Sequence, residues 1–201
     1  MVNIRKAVVD DASAIATVHV AAWKEAYRGI VADDVLDNLS IQRRTEQWVN
    51  SLSDETHPYH LAFVAEVNGQ VVGFSNCGLP QIKDTGFEGE LFAIYILKAA
   101  HKIGIGRQLV QSVVNELRDT GSKSMMVWVL KDNPARGFYE RLGGVYLFEK
   151  SIQIALPRKT IKQAKPKVPK LIGNKSRIKA ASDKHAAVKN DLSKFQIILV
   201  T

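Results

Sequence analysis

Apolar residues along this chain switch between two spacings, and each switch marks an element. Ile15, Val18, Ala22, Trp23, Ala26 and Tyr27 recur at helical intervals, with Asp11 or Ser13 placed to cap the start. A second helix is predicted through Val35, Leu36, Leu39 and Trp48, with Asp33 and Asp34 complementing its N-terminal dipole. His60–Val67 and Gln70–Cys77 read as strands joined by Asn68-Gly69, a pair that tolerates the positive φ of a tight hairpin. Leu91 to Leu97 is a further strand-like run. After Gly106, the spacing of Leu109, Val110, Val113, Val114 and Leu117 defines one buried helical face, and Met125–Leu130 follows as a buried strand. Asn133 and Pro134 form an N-cap and first-turn pair for a short helix carrying Tyr139. Val145–Leu156 reads as another strand, and Phe195–Val200 as a terminal strand able to pair with it. The order predicts a mixed α/β sheet without internal repeats.

Within this layout, one junction carries chemistry. The run from Leu91 to Leu97 passes through a basic turn into Gly104-Ile105-Gly106, which opens directly into a helix. Glycines let a backbone approach a pyrophosphate closely, and the first N–H groups of the helix point at the anion. Two rival phosphate loops fit poorly. A dinucleotide-binding loop needs a third glycine where Leu109 stands, and a Walker A loop needs Lys-Ser/Thr where Arg107-Gln108 follows Gly106.

This loop, together with Asn133-Pro134-Ala135-Arg136-Gly137-Phe138-Tyr139-Glu140-Arg141-Leu142-Gly143, resembles the GNAT superfamily of N-acetyltransferases. The resemblance spans roughly Ile4 to Ile154 and includes the opening Ile4-Arg5-Lys6-Ala7, Asp10-Asp11, Trp23 and Tyr27-Arg28-Gly29-Ile30. His101 departs from the pattern, standing where Gln or Arg is usual. The resemblance implies a mostly antiparallel central sheet, splayed at the strand that binds acetyl-CoA. It places the backbone of Ile94, Tyr95 and Ile96 against the pantetheine. Lys102, Ile103, Gly104, Ile105, Gly106 and Arg107 then surround the pyrophosphate, and Asn133 either contacts the cofactor chain or caps its helix. Acetyl transfer to a primary amine is the implied chemistry, with no acyl-enzyme and no metal.

Under that resemblance Tyr139 matches the acid that protonates the departing thiolate, and a phenol of ordinary pKa about 10 can supply the proton. Glu90, two positions before Phe92, is the candidate base. Strict alternation puts Glu90, Phe92 and Ile94 on one side of the strand. His19 is a second basic group of suitable pKa. Cys77 lacks the partners of a nucleophile. Glu25, Asp33, Asp34 and Asp37 make the first two helices acidic, which favours a small cationic acceptor such as a polyamine or amino-sugar; helix capping accounts for Asp33 and Asp34 equally. A peptide or protein amine is the alternative, as is a non-catalytic acyl-CoA sensor or nucleic-acid-associated protein. A homodimer is left open.

Composition sharpens the boundaries. With 201 residues, 46% of them hydrophobic, the chain can bury a core as one domain, expected over 1–156. A single cysteine excludes an internal disulfide and suits a reducing cytoplasm, and no apolar run is long enough to cross a bilayer. The net charge of +8 is unevenly placed: 157–194 hold 12 Lys/Arg against Asp183 and Asp191, a balance of +10, which leaves −2 for the rest. This aromatic-poor segment reads as a mobile extension, either simply solvated or an electrostatic arm for nucleic acid, before the terminal strand at 195–201.

Overall fold

The computed structural model describes residues 1–82, 86–130, 133–148 and 196–200. Its strands are β1 (Val2–Lys6), β2 (Ala62–Val67), β3 (Gln70–Gly78), β4 (Gly89–Ile96), β5 (Ser124–Trp128), β6 (Val145–Phe148) and β7 (Gln196–Val200). The helices are α1 (Ala12–Tyr27), α2 (Asp33–Asp37), α3 (Ile41–Ser53), α4 (Ile105–Asp119) and α5 (Arg136–Arg141). The strands form one mixed sheet in the order β1-β2-β3-β4-β5-β7-β6. From β1 to β4 neighbours run antiparallel, and β4 and β5 are parallel. β7 lies between β5 and β6, parallel to both. The basic segment 157–194, expected as a mobile arm, lies outside the described residues, as does the end of the strand expected over Val145–Leu156.

Local chemistry explains the elements and two departures from expectation. Asn68 and Gly69 both take positive φ, 53° and 78°, in the β2–β3 hairpin. The helix expected from Val35 to Trp48 is two helices, because Ser40 interrupts it and accepts a hydrogen bond from Arg43 N at 3.2 Å as the N-cap of α3. Asp11 does not cap α1 with its side chain. Its carboxylate takes both Arg5 Nη atoms at 2.7 and 2.8 Å and the Val8 N–H at 2.8 Å, and Arg5 also binds Glu66. That network staples β1, β2 and the start of α1.

Side chains from the two faces of the sheet bury two cores. Leu109, Val110, Val113, Val114 and Leu117 of α4 pack with Phe63, Ala65, Cys77 and Leu91 on one face. Ile15, Ala16 and Val18 of α1 and Trp48 of α3 pack with Ala62, Val64 and Phe74 on the other. Burial of this kind contributes about 25 cal/mol per Å² of apolar surface, so the amphipathic faces decide which side each helix takes.

β4 is irregular in two ways that position the site. Its register against β3 shifts between Asn76↔Ala93 and Cys77↔Leu91, so Phe92 is an extra, bulged residue. Strict alternation therefore fails. Glu90, Phe92, Ala93 and Tyr95 face the α1 and α3 side, whereas Ile94 packs with Leu91 and Ile96 against the α4 core. The expected grouping of Ile94 with Glu90 and Phe92 is corrected by that single added residue. In addition, β4 pairs with β5 only from Gly89 to Leu91, so the edge from Phe92 to Ile96 diverges from β5.

Candidate active site

Hydrogen-bond alternation decides which backbone groups line this divergent edge. Leu97 N donates to Val72 O at 2.8 Å, which makes Leu97, Tyr95 and Ala93 the residues bonded to β3. Ile94 and Ile96 therefore turn their N–H and C=O groups toward the opening. Tyr95, expected to offer backbone, instead turns its side chain to the α1 face of the sheet, where Trp23 Nε1 donates to its phenol at 2.7 Å and Tyr27 Oη lies 3.3 Å away. The Ile96 carbonyl is already engaged by His101 Nε2 at 2.9 Å. His101 thus ties the loop back to the end of β4.

The loop following β4 is built for a close approach. Lys102 and Gly104 have φ of 65° and 87°, and Gly104 is the N-cap of α4. The first internal helical bond runs from Gln108 N to Gly104 O, so the preceding N–H groups of the first turn project from the helix end. Lys102, Ile103 and Arg107 are exposed at this loop. Ile105 differs. At 1% exposure its side chain anchors the loop in the α4 core, leaving only its backbone for a ligand. Gly106 serves a second contact, since a Cβ there would lie 3.1 Å from the Phe138 ring. The glycine lets α5 sit against the first turn of α4.

Tyr139 follows Phe138 on α5 and is 5% exposed in the α4-side core. Burial, reinforced by the Tyr27 phenol, pushes its pKa well up, so its hydroxyl keeps its proton at neutral pH. Tyr139 in turn acts electrostatically on Tyr95, which brings the phenols of Tyr27, Tyr95 and Tyr139 into one neighbourhood. Asn133 Oδ1 accepts from Ala135 N at 2.8 Å, but the helix begins at Arg136 with Ala135 at its N-cap, so the N-cap expected at Asn133 and the first turn expected at Pro134 lie instead in the turn ahead of the helix.

On the α1 and α3 side, a cavity of about 600 Å³ borders β4. Glu90 lines it, 4% exposed, and accepts a hydrogen bond from Gln81 N at 2.9 Å. Burial raises the Glu90 pKa, opposed in part by that N–H. His19 stacks on Tyr95 with centroids 5.0 Å apart, and its buried Nδ1 has no hydrogen-bond partner among the described residues. Burial, then the charge of Arg44, pushes His19 down to about 3, so it is neutral at pH 7 and a feeble base. Cys77 lies in the α4-side core with its thiol pushed up to about 12 by burial, which rules out a ready thiolate. The structure thus gathers Glu90, Tyr95 and His19 around one cavity and leaves Tyr139 outside its walls, in the α4-side core. Arg44, Trp48 and Tyr59 line the cavity without having been singled out from sequence.

The profile of the Acetyltransferase (GNAT) family matches residues 20–144. The chain belongs to the GNAT acetyltransferases. It is 33% identical over 156 residues to the uncharacterized N-acetyltransferase YuaI of Bacillus subtilis, covering 77% of this chain and 87% of that one. A shorter match, 32% identical over 76 residues, links it to the [ribosomal protein bS18]-alanine N-acetyltransferase of Haemophilus influenzae, over 38% of this chain and 49% of that protein. Among solved structures, the PaiA N-acetyltransferase of Thermoplasma acidophilum, in complex with coenzyme A, superposes with a TM-score of 0.60 at 20% identity, over 72% of this chain and 89% of that one. That likeness agrees in fold. A GNAT acetyltransferase takes acetyl-CoA as co-substrate, and the residues present fit it: an open β4 edge and a left-handed glycine at the helix end. Among the described residues no group of three or more His, Cys, Asp and Glu is placed to hold a metal ion, and no helix is long and apolar enough to cross a membrane.

Proposed function

We propose that this GNAT enzyme transfers the acetyl group of acetyl-CoA to the primary amine of a small molecule held in the cavity beside β4. The observation that carries the reading is the position of that cavity: it borders the same strand whose opposite edge is open for the cofactor, and it contains a buried carboxylate. Acetyl-CoA supplies the activated acyl group. Lys102 to Arg107 hold its pyrophosphate, chiefly through backbone, and the outward N–H and C=O groups of Ile94 and the outward N–H of Ile96 pair with the pantetheine. The Ile94 N–H is the donor best turned to polarise the thioester carbonyl. Glu90 takes the proton of the acceptor ammonium, directly or through water, and its raised pKa brings it closer to the amine it must deprotonate. Tyr139 holds the proton required by the leaving thiolate.

Charge in the cavity does not follow the sequence expectation of a cationic acceptor. Glu25, Asp33, Asp34 and Asp37 are absent from its walls; Arg28 lies 3.4 Å from Asp33 and 3.6 Å from Asp37, and Asp34 accepts from Val35 N. The polyamine and amino-sugar classes stay in the panel of acceptors without an electrostatic reason to lead it. A peptide α-amine is the second reading, favoured by the partial match to the bS18 alanine acetyltransferase. Release of free thiol from acetyl-CoA, followed across polyamines, aminoglycosides, amino acids and short peptides, separates these. Turnover of small amines is expected. Acetyl-CoA binding without turnover of any amine would replace transfer with sensing.

A further inference from the structure

The inward face of α3 includes Arg44, Trp48, Ser51 and Leu52, of which Trp48 and Ser51 are buried and Leu52 packs on the core. An amphipathic helix reserves such a face for apolar side chains. Here it carries Arg44. The side chain is half-buried and lines the cavity, with burial lowering its pKa. Among the described residues its side chain hydrogen-bonds to a neutral acceptor, Gln47 Oε1, at 3.0 Å. By contrast Arg5, Arg28 and Arg136 each pair with a carboxylate. No carboxylate lies within ion-pair distance of Arg44 among the described residues.

We propose that Arg44 anchors a carboxylate of the acceptor, so that the amine acetylated by this enzyme belongs to an amino-acid-type compound. Removing a guanidinium from water without a counter-ion is costly, and an anionic ligand offsets that cost. The guanidinium has five donors in a planar fork and spends one on Gln47, which leaves a pair suited to bidentate capture of a carboxylate. Neighbouring His19 is neutral and so does not share the anion as a second cation. Glu90 lines the same cavity, accepts from Gln81 N and forms no ion pair with Arg44, so the two opposite charges are not spent on each other. Negative and positive groups in one cavity complement an ammonium and a carboxylate in one molecule. Trp48, Tyr59 and Phe92 supply apolar wall for the rest of the acceptor.

This inference rests on the transfer reading, and matched acceptors test it separately. L-phenylalanine, L-leucine and L-lysine are compared with phenethylamine, isoamylamine and cadaverine, which keep the amine and lack the carboxylate. The full chain should prefer at least one acid over its partner by roughly tenfold to a hundredfold in kcat/KM, the range of a charge-assisted hydrogen bond. In Arg44→Leu that ratio should collapse toward one, and in Arg44→Lys part of it should return; thermal melting of both variants checks that they are folded. Equal kcat/KM within every pair, or a ratio untouched by Arg44→Leu, overturns the inference while leaving acetyl transfer standing. Turnover of no amine overturns the transfer reading instead. In that case calorimetry of N-acetyl-phenylalanine against its neutral amide, with CoA present, still decides the point: tighter binding of the acid supports the anchor, and equal binding or none overturns it.

Discussion

On the α4 side of β4 the groups offered to a ligand are main-chain: the outward amides of Ile94 and Ile96 and the first turn of α4 behind a left-handed Gly104. On the α1 side they are side chains, with Glu90 from β4, His19 from α1 and Arg44 from α3 meeting around one cavity. A backbone cradle constrains the sequence only where a Cβ would intrude. A side-chain cavity depends on identities contributed by elements far apart in the chain, so one can be re-specified while the other is kept.

The largest effects should come from the two proton carriers, one on each side. Tyr139→Phe keeps the ring in the core and removes only the hydroxyl; it should lower the single-turnover rate by ~10² to 10⁴ with little change in acetyl-CoA affinity. A variant with the parental rate would reduce Tyr139 to packing. Glu90→Gln should lower kcat/KM by about 10², the lower end of the same range, because an amine can also lose its proton to water. Since burial raises the Glu90 pKa, the acid limb of the pH profile should lie above the ordinary carboxylate range, with activity rising as pH increases through it. Glu90→Gln should leave only the limb of the amine itself. An unchanged limb would assign the base elsewhere.

Gly106→Val should break the cofactor side selectively. Its side chain must displace the Phe138 ring, costing about 1–3 kcal/mol of stability by overpacking and, by shifting the first turn of α4, weakening acetyl-CoA binding by about tenfold. The Phe138 ring against Gly106 is what makes the change felt in stability as well as in binding. Calorimetry on Gly106→Ala with and without Phe138→Leu sharpens the point, because the smaller ring-site residue should restore affinity if the clash is the cause.

The smallest effect should fall on the acceptor side. Asp11→Asn loosens the staple that seats α1 and should cost about 2 kcal/mol, or about 4 to 8 °C in Tm. Arg5 holds the Asp11 pKa below its usual value, so the native contribution is present above that usual value and is lost as pH falls through the folded pKa. The two proteins should therefore converge in stability at strongly acid pH. A constant difference between their melting curves across pH would show that the ion pair is not its source.

Legibility in the sequence followed the same division. Gly104, Gly106 and the periodic face of α4 mark the cradle because backbone geometry demands particular residue types at fixed spacing. Tyr139 is singled out in the sequence by its neighbours in the Phe-Tyr helix, and its role as proton donor is the proposal that Tyr139→Phe tests. Arg44 was not, although a charge on the Trp48 and Ser51 stripe of α3 was a usable sign; seeing it required the helix to begin at Ser40, not at Asp33. The acidic residues near α2 misled because their partners, Arg28 and a local backbone N–H, become evident only in three dimensions.

The bulge at Phe92 gives β4 a change of parity. Before it, even-numbered residues look into the cavity; after it, odd-numbered ones do. Deleting that single residue would restore regular pairing with β3 and leave Ala93 and Tyr95 facing the cavity and Ile94 and Ile96 the α4 core, because the bulge is one residue added to an otherwise continuous alternation. What the extra residue adds is two consecutive side chains, Phe92 and Ala93, on the cavity side, so the Phe92 ring is an insertion into the acceptor wall that leaves the cofactor edge beyond it in register.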